Sequence, residues 1–204
     1  ICLADLWPDE AAIDAALAAG LDRLAVPEAY RRAAANPLWA GLEAPRGDRF
    51  AWDRASTYLR RPPFVRADRP TPVTTPAHPL LVLGDDITTD HISPANQIRP
   101  DSESGRYLIA SGDDPGDLNV HAARRGNFES MVRGAFTNRL VDNRLAPGQP
   151  AGTTRHMPSG DIVPLTEAAR RYGAENVPLV IVAGERYGMG SSRDWAAKAV
   201  ALLG

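Results

Sequence analysis

Two short apolar runs that each end at a glycine constrain the fold of this chain more than any other feature. Residues 80–83 read Leu-Leu-Val-Leu before Gly84, and residues 179–183 read Leu-Val-Ile-Val-Ala before Gly184. Continuous apolar runs of this length are typical of strands that are buried on both faces. A polar loop follows each run, so we expect two buried strands whose carboxyl ends carry functional side chains.

Helical patterns lie between the two runs and after the second one. The predicted helices cover residues 104–109, 128–136, 165–172 and 195–203. A turn at residues 157–161 precedes a further short strand at residues 162–163. The sequence therefore predicts a small α/β domain over residues 80–204, and the total of 204 residues suits one such domain with an appendage.

The first third of the chain has a different character. Residues 1–66 predict a helical and irregular strap, with one helix that starts at Pro8 and stops near Gly20 and a second over residues 28–35. Scattered prolines and aromatic residues after these helices indicate a segment that packs on other protein. Residues 67–79 are rich in proline and threonine, which predicts a linker.

Composition excludes several classes of function. Cys2 is the only cysteine, so this chain alone can form neither a disulfide nor a cysteine-ligated cluster. His78 and His156 have no partners at metal-ligand spacing, so no metal site is predicted. A formal net charge of -2 argues against nucleic-acid binding on electrostatic grounds. Without a long apolar run or a signal peptide, we expect no membrane association and a cytoplasmic location.

A glycine-rich segment, residues 184–194, leads from the second strand into the last predicted helix. Its glycines allow the backbone to approach a ligand closely, and amides at a helix N-terminus favour an anion. Ser191 and Ser192 supply hydroxyls, and Arg193 offers a forked guanidinium to a carboxylate. These residues predict a carboxylate site with a candidate base. An equally weighted interpretation is a strand-to-helix turn with Ser192 as helix cap and Arg193 on the surface.

A second polar segment, residues 84–94, follows the first strand. Asp90 is suited to pair with an arginine such as Arg193, and His91 to hydrogen-bond the backbone or a bound carboxylate. The residue types alone favour a capped turn whose threonine and aspartate side chains bond loop amides. Arg124 and Arg125 form a third patch, for which a structural salt-bridge node is favoured over an anion site.

Three motifs in this order resemble the aconitase family. Their sequences are Gly-Asp-Asp-Ile-Thr-Thr-Asp-His-Ile-Ser-Pro-Ala at residues 84–95, Arg-Arg-Gly-Asn at 124–127, and Tyr-Gly-Met-Gly-Ser-Ser-Arg-Asp-Trp-Ala-Ala-Lys at 187–198. The resemblance runs over residues 3–204 and implies the family's swivelling β/β/α domain, similar to the small subunit of isopropylmalate isomerases and here expected to be truncated at its C-terminus. A free-standing small subunit is disfavoured by the long strap.

The resemblance implies a hydro-lyase that interconverts citrate and isocitrate through cis-aconitate. The implied 4Fe-4S cluster would be ligated outside this chain, by N-terminal domains of the same polypeptide, and would act as Lewis acid on the leaving hydroxyl. The expected partners are therefore a tricarboxylate substrate and those domains, and this fragment alone is expected to be inactive. Some family members that lose the cluster bind RNA, an alternative to which the net charge of -2 gives little support.

The resemblance also implies roles by position. Ser191 matches the base that removes a proton next to a carboxylate, and Arg193 matches a group that binds a substrate carboxylate. The implied catalytic residues are Ser191, Asp90 and His91. The candidates for substrate binding are Gly190, Ser192, Arg193, Arg124 and Arg125.

One position departs from the family pattern. A substrate-binding arginine is expected shortly after residues 105–108, where this chain has Ser111. Loss of a charge-assisted hydrogen bond costs roughly 1.5–3 kcal/mol unless another group replaces it. The branch of the family that acts on 2-methylcitrate and 2-methylisocitrate resembles this chain in lacking that arginine, so such a substrate is the alternative.

Overall fold

The computed structural model describes residues 2–44, 46–63 and 76–204. Most of the predicted linker, residues 67–75, lies outside these residues, as do residues 64–66 of the predicted strap. The chain divides into two compact units, Ile1–Ala51 and Trp52–Gly204. Residues 52–63 of the predicted strap therefore belong to the second unit. Among the described helices, none is long and apolar enough to cross a membrane.

The first unit is helical. Its helices are α1 Leu3–Leu6, α2 Glu10–Gly20, α3 Ala25–Ala34 and α4 Pro37–Ala40. Asp9 caps α2 by accepting a hydrogen bond from the Ala12 N–H at 2.8 Å. Both helices predicted in this region are present, although α3 starts three residues earlier than expected. None of the described residues in α2, α3 or α4 is buried, so a strap that packs on other protein remains a prediction.

The second unit mixes short strands and helices. Its elements in chain order are β1 His78–Val82, α5 Thr89–Ile92, α6 Glu103–Ala110, a 3-10 turn His121–Arg124, α7 Phe128–Gly134, β2 Thr153–Arg155, β3 Ile162–Pro164, α8 Leu165–Ala174, β4 Leu179–Val182 and α9 Asp194–Leu203. The four helices predicted here are present with small shifts at their ends. The mixed α/β content agrees with the predicted class, and the swivelling arrangement remains a prediction.

The strands form two small sheets. β1 pairs in parallel with β4, and β2 pairs antiparallel with β3. Val82 lies opposite Val182 in the parallel pair, and the Gly184 N–H donates to the Gly84 carbonyl just beyond it. The two polar segments therefore leave the sheet side by side at its carboxyl edge.

Burial differs between the two parallel strands. Leu80 and Leu81 of β1 are only 1% exposed and belong to the main core with residues of α7, α8 and α9. Val180 and Val182 of β4 are 42% and 49% exposed. The prediction that β4 is buried on both faces is therefore wrong, because no element in the described part of the chain covers the face that carries these valines.

Candidate active site

Backbone hydrogen bonds join the two polar segments along their length. The bonds are Gly184 N–H to Gly84 O at 3.0 Å, Asp86 N–H to Glu185 O at 2.9 Å, Gly188 N–H to Ile87 O at 2.6 Å, and Thr89 N–H to Met189 O at 2.8 Å. The strand pairing thus continues into the loops. Residues that lie about a hundred positions apart in the sequence are held next to each other, as the parallel pairing predicts.

Side chains strengthen the same connection at the start of the loops. Arg186 donates two hydrogen bonds to the Asp86 carboxylate, at 2.5 and 2.9 Å. The Arg186 guanidinium holds the pKa of the Asp86 carboxyl below its ordinary value through these bonds. Both residues are exposed and have positive φ angles, 59° and 58°. This pair ties one loop to the other outside the candidate site.

Arg193 is the centre of the site. Its Nε donates to Ser191 Oγ at 3.1 Å, its Nη1 donates to the Ser93 carbonyl at 2.7 Å, and its Nη2 pairs with the Asp90 carboxylate. A guanidinium has five N–H donors, so donors remain for a ligand carboxylate. The structure therefore brings together Ser191, Arg193 and Asp90, which were predicted from two separate motifs.

The start of α9 tests one part of the simple-turn interpretation of the glycine-rich segment. The residue before the helix is Arg193, and no side chain caps the helix. Ser192 is thus not the helix cap that the simple-turn interpretation required. Gly190 has φ +119°, a conformation that favours glycine, and a Cβ there would lie 3.0 Å from Thr89 Oγ1. At this glycine the segment lies close to Thr89 of residues 84–94.

His91 has a structural bond of its own. Its Nδ1 accepts a hydrogen bond from the Thr88 N–H at 3.0 Å, which completes a capping box at the start of α5. With Nδ1 as acceptor, the neutral ring carries its proton on Nε2. The bond from Thr88 N–H is the backbone bond that the sequence predicts for His91. The contacts of Arg193 are instead with Asp90, Ser93 and Ser191.

Arg125 lies beside the two motifs. A small cavity of about 40 Å³ is lined by Ser93, Arg125, Ser192, Arg193 and Trp195, among others. The Trp195 ring is buried, and its Nε1 donates to the Arg125 carbonyl at 3.0 Å. Sequence reasoning missed this role of Trp195, although a buried indole N–H in a first helical turn requires an acceptor.

Arg124 points in another direction. Its side chain is 1% exposed and forms an ion pair with Asp113 at 2.8 Å. It also donates to the Leu118 carbonyl and to Thr57 Oγ1, and its guanidinium lies 3.8 Å from the centre of the Tyr58 ring. These contacts correspond to the salt-bridge node. The candidate role of Arg124 in substrate binding is corrected accordingly, because its guanidinium is saturated inside the protein.

The chain does not fit an iron-sulfur cluster. Such clusters are held by several cysteine thiolates, and the sequence contains only Cys2. Within residues 2–44, 46–63 and 76–204, no group of three or more His, Cys, Asp or Glu residues is arranged to hold a metal ion.

Comparisons with known proteins find similar sequences over the whole chain. Residues 104–204 match the family model of the aconitase C-terminal domain. The whole chain is 42% identical to aconitate hydratase A of Escherichia coli and 42% identical to aconitate hydratase A of Thermus thermophilus. It is 38% identical to aconitate hydratase A of Deinococcus radiodurans. In each case the chain spans 23% of the length of the relative.

Proposed function

Because this chain belongs to the aconitase family, we propose that it is part of an aconitate hydratase, a hydro-lyase that interconverts citrate and isocitrate through cis-aconitate. One observation carries the proposal. The Arg193 guanidinium contacts the Ser191 hydroxyl, the Asp90 carboxylate and the Ser93 carbonyl at once. A hydroxyl, an anion-binding cation and an orienting carboxylate are the groups that proton abstraction beside a carboxylate requires.

Ser191 acts as the base in this proposal. In its deprotonated form, the Ser191 oxygen takes a proton from the carbon next to a substrate carboxylate. The C–H electron pair forms the new double bond while the C–O bond of the neighbouring carbon breaks, and the hydroxyl leaves with the electrons of that bond as hydroxide, which becomes water once it is protonated. A guanidinium that donates to Ser191 Oγ at 3.1 Å stabilises negative charge on that oxygen before the proton arrives. Hydration of cis-aconitate runs the same steps in reverse.

The neighbouring groups bind the substrate. The remaining N–H donors of Arg193 take a carboxylate, with Asp90 holding the guanidinium in orientation. Arg125 and Ser192 line the adjoining cavity and add a cation and a hydroxyl. Gly190 lets the backbone come close to the ligand. His91 remains a candidate donor through Nε2, since its Nδ1 is bonded to Thr88.

The rest of the enzyme supplies what this chain lacks. We propose, from the family resemblance, that a 4Fe-4S cluster is bound by other domains of the same polypeptide. Two observations support this division: the single cysteine of the chain and its span of 23% of the relatives. The exposed apolar side chains of α2 and α3, such as Leu17 and Tyr30, are suited to pack against those domains.

The test uses the full-length enzyme that contains this chain. Ser191→Ala should lower kcat for citrate and isocitrate by at least about 100-fold with little change in KM, because a general base acts mainly in the transition state. Ser159→Ala is the matched control, since that exposed serine bonds His156 instead. A Ser191→Ala enzyme with the wild-type rate would remove the proposed base.

Ser111 favours a second candidate substrate, 2-methylisocitrate or 2-methylcitrate. Ser111 ends α6 on the surface, and its hydroxyl donates to the Tyr107 carbonyl at 2.9 Å. A guanidinium is expected at this position in citrate-specific members of the family. Comparison of wild-type kcat/KM for isocitrate and 2-methylisocitrate decides between the two, and a preference for the methylated substrate would support the second candidate.

A further inference from the structure

Thr89 contacts the glycine-rich segment, residues 184–194, through both its backbone and its side chain. Its N–H donates to the Met189 carbonyl at 2.8 Å, and its Oγ1 donates to the Ser191 carbonyl at 2.8 Å. Thr89 is buried, at 7% exposure. Gly190 lies between the two carbonyls, and its Cβ position would be 3.0 Å from Thr89 Oγ1. The buried Thr89 therefore holds the loop on both sides of Gly190.

The hydroxyl bond fixes the orientation of a peptide group. In a planar trans peptide the C=O of one residue and the N–H of the next point in opposite directions. With the Ser191 carbonyl directed at buried Thr89, the Ser192 N–H points away from Thr89, and Ser192 is exposed. No atom of the described residues accepts a hydrogen bond from this N–H. The N–H is thus open to a ligand.

We propose that Thr89 is a positioning residue for the reaction, an inference that rests on the function proposed above. Its hydroxyl keeps the Ser191–Ser192 peptide in one orientation, which holds Ser191 Oγ at Arg193 and presents the Ser192 N–H outward. Without the hydroxyl, the Ser191 carbonyl loses its buried partner, and Gly190 offers little resistance to rotation of the peptide. The base then moves relative to the substrate.

The kinetic test compares variants at position 89 in the full-length enzyme. Thr89→Val and Thr89→Ala remove the hydroxyl and should lower kcat by roughly 10- to 100-fold, the effect expected when a reacting group is displaced by about an ångström. KM should change by less than about threefold. Thr89→Ser keeps the hydroxyl and should retain most of the wild-type kcat. Equal losses in Thr89→Ser and Thr89→Val would overturn the proposal, because retention of the hydroxyl would then make no difference to kcat.

Thr154→Val is the matched control. Thr154 is also buried, and its Oγ1 donates to a backbone carbonyl, that of Leu80 at 2.7 Å, away from the candidate site. Its loss should lower thermal stability and leave kcat per folded enzyme unchanged. A kcat loss in Thr154→Val as large as that in Thr89→Val would mean that any lost buried hydroxyl has this effect, and would overturn the proposal.

A crystal structure of the Thr89→Val or Thr89→Ala enzyme separates this inference from the proposed function. We expect the Ser191–Ser192 peptide to be rotated or to occupy two orientations. An unchanged Ser191 carbonyl overturns the role of Thr89 whatever the activity is. A wild-type enzyme that turns over no tricarboxylate refutes the proposed function instead, and the peptide orientation still decides whether Thr89 holds the loop.

Discussion

At the scale of single residues, the site depends on the shape of one guanidinium as well as on its charge. Arg193 directs three N–H groups at three partners that lie in different directions. A planar fork achieves this with little loss of side-chain freedom, whereas a lysine ammonium is a compact charge on a flexible stem. The arrangement therefore requires arginine, and lysine is the informative replacement.

Arg193→Lys in the full-length enzyme should impair both binding and rate. The ammonium retains the charge but cannot contact Ser191, Ser93 and Asp90 together, so kcat should fall and KM for citrate should rise. One lost charge-assisted hydrogen bond, about 1.5–3 kcal/mol, corresponds to roughly 10- to 150-fold in kcat/KM. Steady-state kinetics provide the measurement, with Arg155→Lys as a control, because the Arg155 guanidinium donates to the Gly160 carbonyl. Wild-type kcat and KM would contradict the role of Arg193.

The sequence predicts which residues form the cluster better than it predicts what holds them. Asp90 lies next to Arg193 because β1 and β4 are parallel and their loops leave the sheet at the same edge. The bond from Thr89 to the Ser191 carbonyl depends on the register of the loops to within one residue. A hydroxyl has many possible acceptors, so no sequence pattern selects this one.

At the scale of elements, the buried Arg124 and the partly buried Asp113 form an ion pair that helps to tie the segment before β1 to the helical side of the unit. Arg124, in the 3-10 turn, joins Asp113 after α6 to Thr57 and Tyr58. Asn127 adds a hydrogen bond from its side-chain amide to the Thr57 carbonyl at 2.7 Å. This node secures a segment that has no regular secondary structure of its own, and it explains why residues 52–63 belong to the second unit.

Asp113→Asn should destabilise the unit without changing the chemistry. The amide keeps the shape of the carboxylate but leaves the buried Arg124 charge without its counter-ion. We expect a loss of about 1.5–3 kcal/mol in the free energy of unfolding. Denaturant unfolding of the full-length protein measures it, and Asp114→Asn is the control because Asp114 bonds the nearby Gly116 N–H. Equal stabilities of the two variants would contradict the node.

Strand burial illustrates what apolar runs leave open. The runs correctly predict β1 and β4, yet Val180 and Val182 are about half exposed. An apolar run predicts a strand that can be buried on both faces. It does not determine whether other elements pack on each face. β2 was missed because Thr153–Arg155 is short and polar and is defined by its pairing with β3.

At the scale of the whole molecule, the chain spans 23% of its relatives, and we propose that it carries one side of a reaction site. Its chemistry-bearing side chains converge on one edge of the β1–β4 sheet, within the unit Trp52–Gly204. The side chains of α2, α3 and α4 are by contrast unburied. Stability and activity should therefore separate when the chain is studied alone, because the second unit has a core, whereas the proposed site requires residues of other domains.

We expect the isolated chain to be folded over its second unit, to bind no iron and to lack citrate turnover. The core around Leu80, Leu81 and Phe136 is closed within that unit, which supports folding, whereas one cysteine is too few for a cluster. Amide hydrogen exchange should show protection in β1, α7 and α8 and rapid exchange in α2 and α3, whose residues are unburied. Iron content, visible absorbance and turnover of citrate should match those of a buffer control. Visible absorbance of an iron-sulfur cluster together with turnover would contradict the proposal that other domains bind the cluster, because this chain would then hold a complete site.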